Sequence, residues 1–304
     1  FRPADRQALV LPDSGPRPSF IGHLDPIVMT VFSASGALVA SGSLEGGVRV
    51  WDAASGAPRS FFAGHGDGAV HDIVISADDR LVFSTSRRSV IVIDVSTGEL
   101  LAQTPIQAEK PQLAVSDDGQ RVYIAGDRGG LTRWLWRSDI AESLIAPDSG
   151  ICRVAVSRDE TMLVTANARR RVRIWDIASM VPRERGVRTA AAVDHLSIAD
   201  DGSRVFVQSG VWLHLLAAAG DGLRHEATRL LNAAPAAVVA VDSGLEAFVL
   251  RRPSVSTPIV DRLPMATPVA EPLNVPRDQL IVDIESRLSL ALDKWGDARP
   301  LSRR

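Results

Sequence analysis

A short polar turn recurs along this chain at an almost constant spacing. The turns lie at Ser33, Ser76, Ser116, Ser157, Ala199, Asp242 and Glu285, and the intervals between them are 43, 40, 41, 42, 43 and 43 residues. A fixed period of this size is typical of proteins built from copies of one supersecondary unit. The 304-residue chain therefore predicts seven structural repeats.

Each repeat is built from short runs that have the length of β-strands. In the first copy IVMTVF precedes the turn, ALVAS follows it, and VRVWD and RSFFAG come after a glycine-rich break. The β-branched residues in these runs favour strands. A sheet of four short strands cannot bury its faces alone, whereas radial stacking of such sheets buries them and leaves only short edges. We therefore predict an all-β, seven-bladed β-propeller of four-stranded antiparallel blades, as a single domain over residues 1–304.

Residues 22–56 begin with a Gly-His pair and lead into a Trp-Asp pair, GHLDPIVMTVFSASGALVASGSLEGGVRVWDAASG. This segment resembles a WD40 repeat, and residues 146–180 align with it without gaps. The position of Trp51 recurs as Ile93, Trp134, Trp175, Leu215 and Val260, so the resemblance covers essentially the whole chain and weakens from about residue 186 onward. Lysine occurs at only two positions, which suggests a GC-rich bacterial coding sequence, and the repeats resemble divergent, bacterial-type WD40 repeats.

The resemblance implies a structural role for a set of polar residues. In WD40 repeats an Asp, a His, a Ser or Thr and a Trp form a hydrogen-bonded set that fixes the turn between the second and third strands. The matching residues are His23, Ser41, Trp51 and Asp52 in the first copy, with Glu45 where Asp is expected, His65 and Ser84 in the second, and Thr165, Trp175 and Asp176 in the fourth. We interpret these residues as structural and predict no catalytic residue among them.

Two segments are candidates for the third strand of the blade that closes the ring. ALVLPDSG at residues 8–15 is followed by the better turn, and ARPLSRR at the C-terminus can fill the same position. We expect N- and C-terminal strands to share the last blade, with the N-terminal segment as the preferred third strand. Because the chain begins with Phe1 rather than Met, we also expect it to be a fragment of a longer protein.

The turns between the second and third strands contain the candidate binding residues. In WD40-like propellers these turns surround the central channel on a face that commonly binds partners. Here they contain Arg87, Arg88, Arg128, Arg169, Arg170, Arg171, Arg251 and Arg252. A guanidinium group can bind a carboxylate or phosphate through two parallel hydrogen bonds. This arc favours a non-catalytic protein-binding module, either a scaffold or a sensor domain, for an acidic or phosphorylated partner.

Three alternatives remain open at this point. The arginines can be ordinary solvated turn residues, the chain can be an enzyme subunit or hydrolase-like propeller with a site at the channel mouth, or it can be a structural assembly module. The sequence contains none of the motifs GxGxxG, GxxxxGK[ST], HExxH or GxSxG, and its one cysteine, Cys152, excludes a multi-cysteine zinc site. We therefore predict no enzyme activity, no metal and no cofactor.

Charge and composition limit the partners that we expect. The net charge of −2 gives no overall attraction to nucleic acid or anionic lipid, and the aromatic content of 5% offers few stacking platforms for bases. The sequence has neither a run of 18 apolar residues nor a signal peptide. We therefore expect a cytoplasmic protein that binds another protein or an attached effector domain, without a membrane, nucleic acid or small-molecule substrate.

Overall fold

The computed structural model is built from β-strands and the turns that join them. It describes residues 22–66, 68–126, 130–145, 150–183, 186–199, 201–230, 237–241, 246–251, 259–264, 290–292 and 298–300. Within these ranges there is no helix, and hence none long and apolar enough to cross a membrane.

The first three sheets each contain four antiparallel strands in sequential order. The first has β1 (Ile27–Phe32), β2 (Leu38–Ser43), β3 (Val48–Asp52) and β4 (Pro58–Phe62). The second has β5 (Asp72–Ile75), β6 (Leu81–Thr85), β7 (Ser89–Asp94) and β8 (Leu100–Pro105). The third has β9 (Gln112–Val115), β10 (Arg121–Gly126), β11 (Gly130–Leu135) and β12 (Ile140–Ile145). We call these sheets the first, second and third blades.

The fourth and fifth blades continue this pattern. The fourth has β13 (Ile151–Val156), β14 (Met162–Asn167) and β15 (Arg171–Asp176), with its outer strand divided into β16 (Val181–Pro182) and β17 (Val187–Arg188). The fifth has β18 (His195–Ile198), β19 (Arg204–Ser209), β20 (Trp212–Ala219) and β21 (Gly222–Leu230). This blade is fully four-stranded although it lies where the sequence resemblance is weak, because β19 and β20 still consist largely of apolar residues that favour a buried sheet.

The remaining strands form two smaller described sheets. Three strands, β22 (Ala237–Val241), β23 (Glu246–Arg251) and β24 (Ile259–Pro264), pair in sequential order. A hairpin joins β25 (Leu290–Leu292) to β26 (Ala298–Pro300). In this hairpin the residues Ala298–Pro300 of the C-terminal segment ARPLSRR pair with the strand before them. Residues 8–15 lie outside the described part of the chain, so the preference for them as the third strand stays a prediction.

The first strands of successive sheets contact one another. These contacts run from β1 to β5, β5 to β9, β9 to β13, β13 to β18 and β18 to β22. All six residues of β2 are buried, whereas all five residues of the outer strand β4 are exposed or half-buried. The sheets therefore stand around the line of their first strands, with their fourth strands outward, which is the arrangement of propeller blades.

The hydrophobic core lies between adjacent blades. One cluster joins Val50 of the first blade to Ile73 and Ile91 of the second, and comparable clusters join the second to the third, the third to the fourth, and the fourth to the fifth. The residues at the Trp51 position are buried in each of these five blades, as Trp51, Ile93, Trp134, Trp175 and Leu215. Because each cluster draws on two sheets, one blade cannot bury its apolar surface without its neighbours.

Candidate partner-binding face

The turns between second and third strands lie at the same end of each blade as the loops that lead into the first strands. The described turns at this end are residues 43–48, 86–89, 167–171 and 209–212. The loops at this end include residues 22–26, 63–66, 68–71, 106–111 and 189–194. We call this surface the arginine face, and the end formed by the turns between first and second strands the opposite end.

A hydrogen-bonded set fixes the arginine face in the first blade. The Oγ atom of Ser41 lies 2.7 Å from Nε2 of His23 and accepts a hydrogen bond of 2.8 Å from Nε1 of Trp51. The Oε1 atom of Glu45 lies 3.5 Å from Nδ1 of His23 and accepts a hydrogen bond from Ser43 Oγ at 3.2 Å. Burial lowers the pKa of His23, although Glu45 acts in the opposite direction. Glu45 therefore occupies the acidic place in this set.

The second blade uses a different partner for its histidine. The two ring nitrogens of His65 lie 3.0 Å from Oγ of Ser84 and 2.8 Å from Oγ of Ser89. Sequence reasoning missed Ser89, because the family pattern predicts an acidic residue inside the turn. The available signal was the spacing of Ser86 and Ser89 across a turn shorter than that of the first blade.

The Trp-Asp pair at the end of the third strand makes two kinds of contact. In the fourth blade Nε1 of Trp175 donates to Oγ1 of Thr165 at 2.8 Å. Asp176 follows and accepts hydrogen bonds from the N–H and hydroxyl of Ser179, both at 2.8 Å, at the opposite end. Asp52 accepts the same type of bond from Ser55, which holds the pKa of Asp52 well below its usual range. The aspartates thus fix the turn that follows the strand.

The backbone of the arginine turn in the second blade is well anchored. The carbonyl of Arg88 accepts a hydrogen bond of 2.7 Å from Ile106 N–H, and that of Arg87 accepts one of 3.1 Å from Ala108 N–H. The N–H of Arg88 donates to Ser86 Oγ at 3.2 Å. Both arginines are exposed. Their backbone is therefore held in the blade while their charged groups are in solvent.

The turn in the fourth blade is also held by hydrogen bonds. Arg170 has a left-handed backbone, with φ of 64°, and its N–H donates to the Asn167 carbonyl at 3.0 Å. Arg171 donates its N–H to the side chain of Asn167 at 2.9 Å, and Thr189 N–H donates to the Arg170 carbonyl at 2.9 Å. Arg169 and Arg170 are exposed, whereas Arg171 is half-buried at the start of β15. Two guanidinium groups of the triplet therefore face solvent.

The side chains of the three other predicted arginines lie outside the described part of the structure. Arg128 and Arg252 lie outside the described residues, and only the backbone of Arg251, at the end of β23, is described. The two arginine turns that are described belong to the second and fourth blades, on either side of the third. Whether the arginines form a continuous arc stays a prediction.

The acidic residues near the first strands bind backbone groups. The carboxylate of Asp72 accepts hydrogen bonds from Leu113 N–H at 2.8 Å and Ile73 N–H at 3.0 Å, and burial raises the pKa of Asp72 to about 6. Asp194 accepts a bond of 2.7 Å from Gly210 N–H. No group of three or more His, Cys, Asp or Glu side chains in the described part of the chain is arranged to hold a metal ion.

Comparison with known proteins identifies the repeats directly. The model of the family "WD domain, G-beta repeat" matches residues 15–52, 56–94 and 140–176. These ranges include both copies in which the sequence resemblance is strong, together with most of the second. The comparison with curated proteins gave no match.

Solved structures show the same architecture. A chain in the crystal structure of the mitotic checkpoint complex superposes with a TM-score of 0.65 and 17% identity, over 74% of this chain and 71% of that chain. The β-propeller domain of Cps50 (Swd1) from Myceliophteria thermophila superposes with a TM-score of 0.64 and 14% identity, over 75% of this chain and 81% of that chain. The predicted all-β propeller fold is confirmed, and three segments of the chain match the WD40 repeat model.

Proposed function

We propose that this propeller is a non-catalytic protein-binding module, a scaffold or sensor domain, that binds an acidic or phosphorylated segment of a partner on its arginine face. The observation that supports this proposal most directly is the exposure of Arg87, Arg88, Arg169 and Arg170 on anchored turns at one end of the blades. An anchored backbone lowers the conformational entropy that is lost when a partner binds.

The charges of this face favour an anionic ligand. None of these four arginines forms an ion pair with a described residue, whereas Arg121 and Arg204 at the opposite end each lie in an ion pair. Arg121 lies 2.8 Å from a carboxylate oxygen of Glu160, and Arg204 lies 2.8 Å from one of Glu226. Arginines without an acidic neighbour retain their full charge for an external carboxylate or phosphate.

A protein is the partner class that we favour. A net charge of −2 opposes non-specific attraction to a nucleic-acid backbone, and exposed aromatic stacking platforms are few. Structural neighbours include a chain of the mitotic checkpoint complex, which is an assembly of proteins. The partner can be a separate cytoplasmic protein or an effector domain attached to the same polypeptide.

Charge reversal tests this proposal. One variant combines Arg87→Glu with Arg88→Glu, a second combines Arg169→Glu with Arg170→Glu, and Arg224→Glu, far along β21 from this face, is the matched control. We expect each double variant to reduce partner binding about tenfold or more, because charge-assisted hydrogen bonds are lost, while the control binds normally. Quantitative affinity purification measures the binding, and circular dichroism measures the melting temperature.

The melting temperatures should differ little, since exposed charges contribute little to stability. Unchanged partner binding by both double variants, with the fold intact, would refute an electrostatic role for this face. An equal loss in the Arg224→Glu control would instead indicate a non-specific charge effect and would also contradict the proposal.

A further inference from the structure

The fourth and fifth blades are joined at the arginine face by an unbroken series of hydrogen bonds. Arg170 donates from Nη1 to the Ala190 carbonyl at 2.6 Å. The N–H of the same peptide group, that of Ala191, donates to Ser209 Oγ at 3.1 Å, and Ser209 Oγ donates to the Ala191 carbonyl at 3.3 Å. Only one peptide unit therefore separates the contact with the arginine turn from the contact with the turn of the fifth blade.

The turn of the fifth blade is also held in place. Its Gly210 has a left-handed φ of 60°, and the N–H of Gly210 donates to Asp194 at 2.7 Å. The carbonyl of Gly210 accepts a bond of 3.2 Å from the side chain of Gln208. The strand that follows begins at Trp212. These contacts fix the position from which the Trp212 side chain projects.

An exposed apolar pair lies at the start of this strand. Trp212 is 37% exposed, and its partner across the β20–β21 pair, Leu230, is 62% exposed. Tryptophan and arginine are enriched among the residues that contribute most to protein–protein binding. The apolar pair adjoins the turn that is bonded, through Ala190 and Ala191, to Arg170.

We propose that Arg169, Arg170, Trp212 and Leu230 form one docking site for a peptide segment of a partner protein that has an Asp or Glu beside a large apolar residue. This inference rests on the proposed function and assigns it to the fourth and fifth blades. The apolar side chain of the peptide contacts Trp212 and Leu230, and its carboxylate binds Arg170.

The guanidinium group of Arg170 has one edge that is free to bind an anion. Its Nη1 already donates to Ala190, and its Nε and Nη2 groups make no hydrogen bond to a described residue. One edge of the guanidinium group is therefore available, and one such edge matches the two oxygens of a carboxylate. Arg169 beside it adds charge, and the nearest carboxylate of the connecting loop, that of Asp194, is bonded to Gly210.

A set of synthetic peptides tests the docking site. Fluorescein-labelled peptides contain Asp-Leu, Asp-Phe or Glu-Leu between Gly-Ser spacers, with matched peptides that contain Asn-Leu, Asp-Ser or phosphoserine-Leu. Fluorescence anisotropy with the full chain, at about 0.15 M salt, measures affinity. We expect the acidic-apolar peptides to bind about tenfold more tightly than the Asn-Leu and Asp-Ser peptides, because each control lacks one of the two contacts.

Two protein variants locate the site. Arg170→Gly removes the guanidinium group at a backbone position that glycine adopts readily, and Trp212→Ala removes the indole. Each should weaken the binding of the acidic-apolar peptides about tenfold. The controls are Arg224→Glu and Leu101→Ala, at exposed positions on the outer strands β21 and β8, and they should bind like the unmodified chain.

Each alternative outcome has a definite meaning. Normal peptide binding by Arg170→Gly and Trp212→Ala overturns the site, and tighter binding of the phosphoserine peptide than of every acidic peptide overturns its assignment to carboxylates. If these two variants retain partner binding but the Arg87→Glu, Arg88→Glu double variant loses it, the proposed function stands and this location is wrong. If no variant changes partner binding, both proposals fail.

Discussion

The carboxyl group of Asp72 connects two blades, but its burial lowers the free energy of unfolding at neutral pH. It joins β5 to β9 through the Leu113 N–H, but burial raises the pKa of Asp72 to about 6 from 3.8. The folded protein therefore binds more protons than the unfolded chain between these two values. The free energy of unfolding should fall as the pH rises from about 4 to about 6 and then stay lower.

Asp72→Asn should remove this dependence on pH. We expect the variant to be more stable than the unmodified chain at a pH of about 7.5, by about 1 kcal/mol, and to lose this advantage at about pH 4. The difference is smaller than the full pKa shift implies, because the two carboxylate oxygens accept from Ile73 N–H and Leu113 N–H, whereas the amide of Asn has one acceptor oxygen and loses one of these hydrogen bonds. Thermal melts across this pH range measure the effect. Lower stability of Asp72→Asn at pH 7.5 would show that the hydrogen bonds of the carboxylate outweigh its burial.

At the residue scale, the sequence was informative where a local motif specifies the contact. The motif suggested His23, Ser41 and Trp51 as one set, and the structure brings their side chains together. The contact between His65 and Ser89 could not be predicted in this way, because it depends on how the turn brings the first residue of β7 beside a loop. Whether the side chain of Asp72 meets an amide of the next blade depends likewise on tertiary packing.

At the scale of the turn, one position of the repeat has no room for a Cβ atom in the first blade but has room for one in the fourth. Gly46 and Arg170 align without gaps and both have a left-handed backbone, with φ of 86° and 64°. A Cβ atom at Gly46 would lie 2.6 Å from the Gly68 carbonyl oxygen and 2.7 Å from that of His65. Arg170 has a Cβ in the equivalent place, so the loop beside it must lie farther away.

We therefore expect Gly46→Ala to destabilise the protein by more than about 2 kcal/mol, because the side chain meets backbone atoms and the left-handed conformation is unfavourable. Arg170→Gly should change the free energy of unfolding by less than about 1 kcal/mol, since relief of the left-handed strain offsets the greater freedom of the unfolded chain. Urea denaturation of the two variants measures both values. Equal losses of stability in the two variants would show that the close approach of the loop to Gly46 does not destabilise Gly46→Ala.

Strands were predicted from sequence more readily than the positions of the turns. Alternating apolar residues and the regular period indicated the strands of the five complete blades, and the structure contains them. The division of the outer strand of the fourth blade into β16 and β17 was not predicted, and neither was the bulge between Leu215 and Leu216. These irregularities depend on how each strand meets its neighbours, which a single repeat does not encode.

At the scale of the whole molecule, the first strand differs from the first strands of the other blades. Met29 and Val31 pack against the cluster between the first and second blades, whereas Phe32 is 64% exposed and Val28 is 43% exposed. In a closed ring the preceding blade covers this side of β1. The sequence predicts that terminal strands form that blade, and most of residues 265–304 lie outside the described part of the chain.

Ring closure predicts an unequal effect of two matched substitutions. Phe32→Ser should lower the melting temperature by about 2 °C or more, because we expect the closing blade to cover the phenyl ring of Phe32. Phe61→Ser on the outer strand β4, where the ring lies 4.0 Å from the guanidinium carbon of Arg49, should have a smaller effect. Calorimetry measures both. If the effect of Phe61→Ser is equal or larger, closure over Phe32 is wrong.

The difference in ion pairing between these arginines affects the rate at which a partner associates. At the opposite end Arg121 and Arg204 are neutralised by Glu160 and Glu226, while Arg87 and Arg170 remain unneutralised by described residues. We therefore expect the charges of Arg87 and Arg170 to attract an acidic partner toward the arginine face before the surfaces touch. Such steering increases the rate of productive encounters and weakens as salt screens the charges, without requiring any additional contact in the bound state.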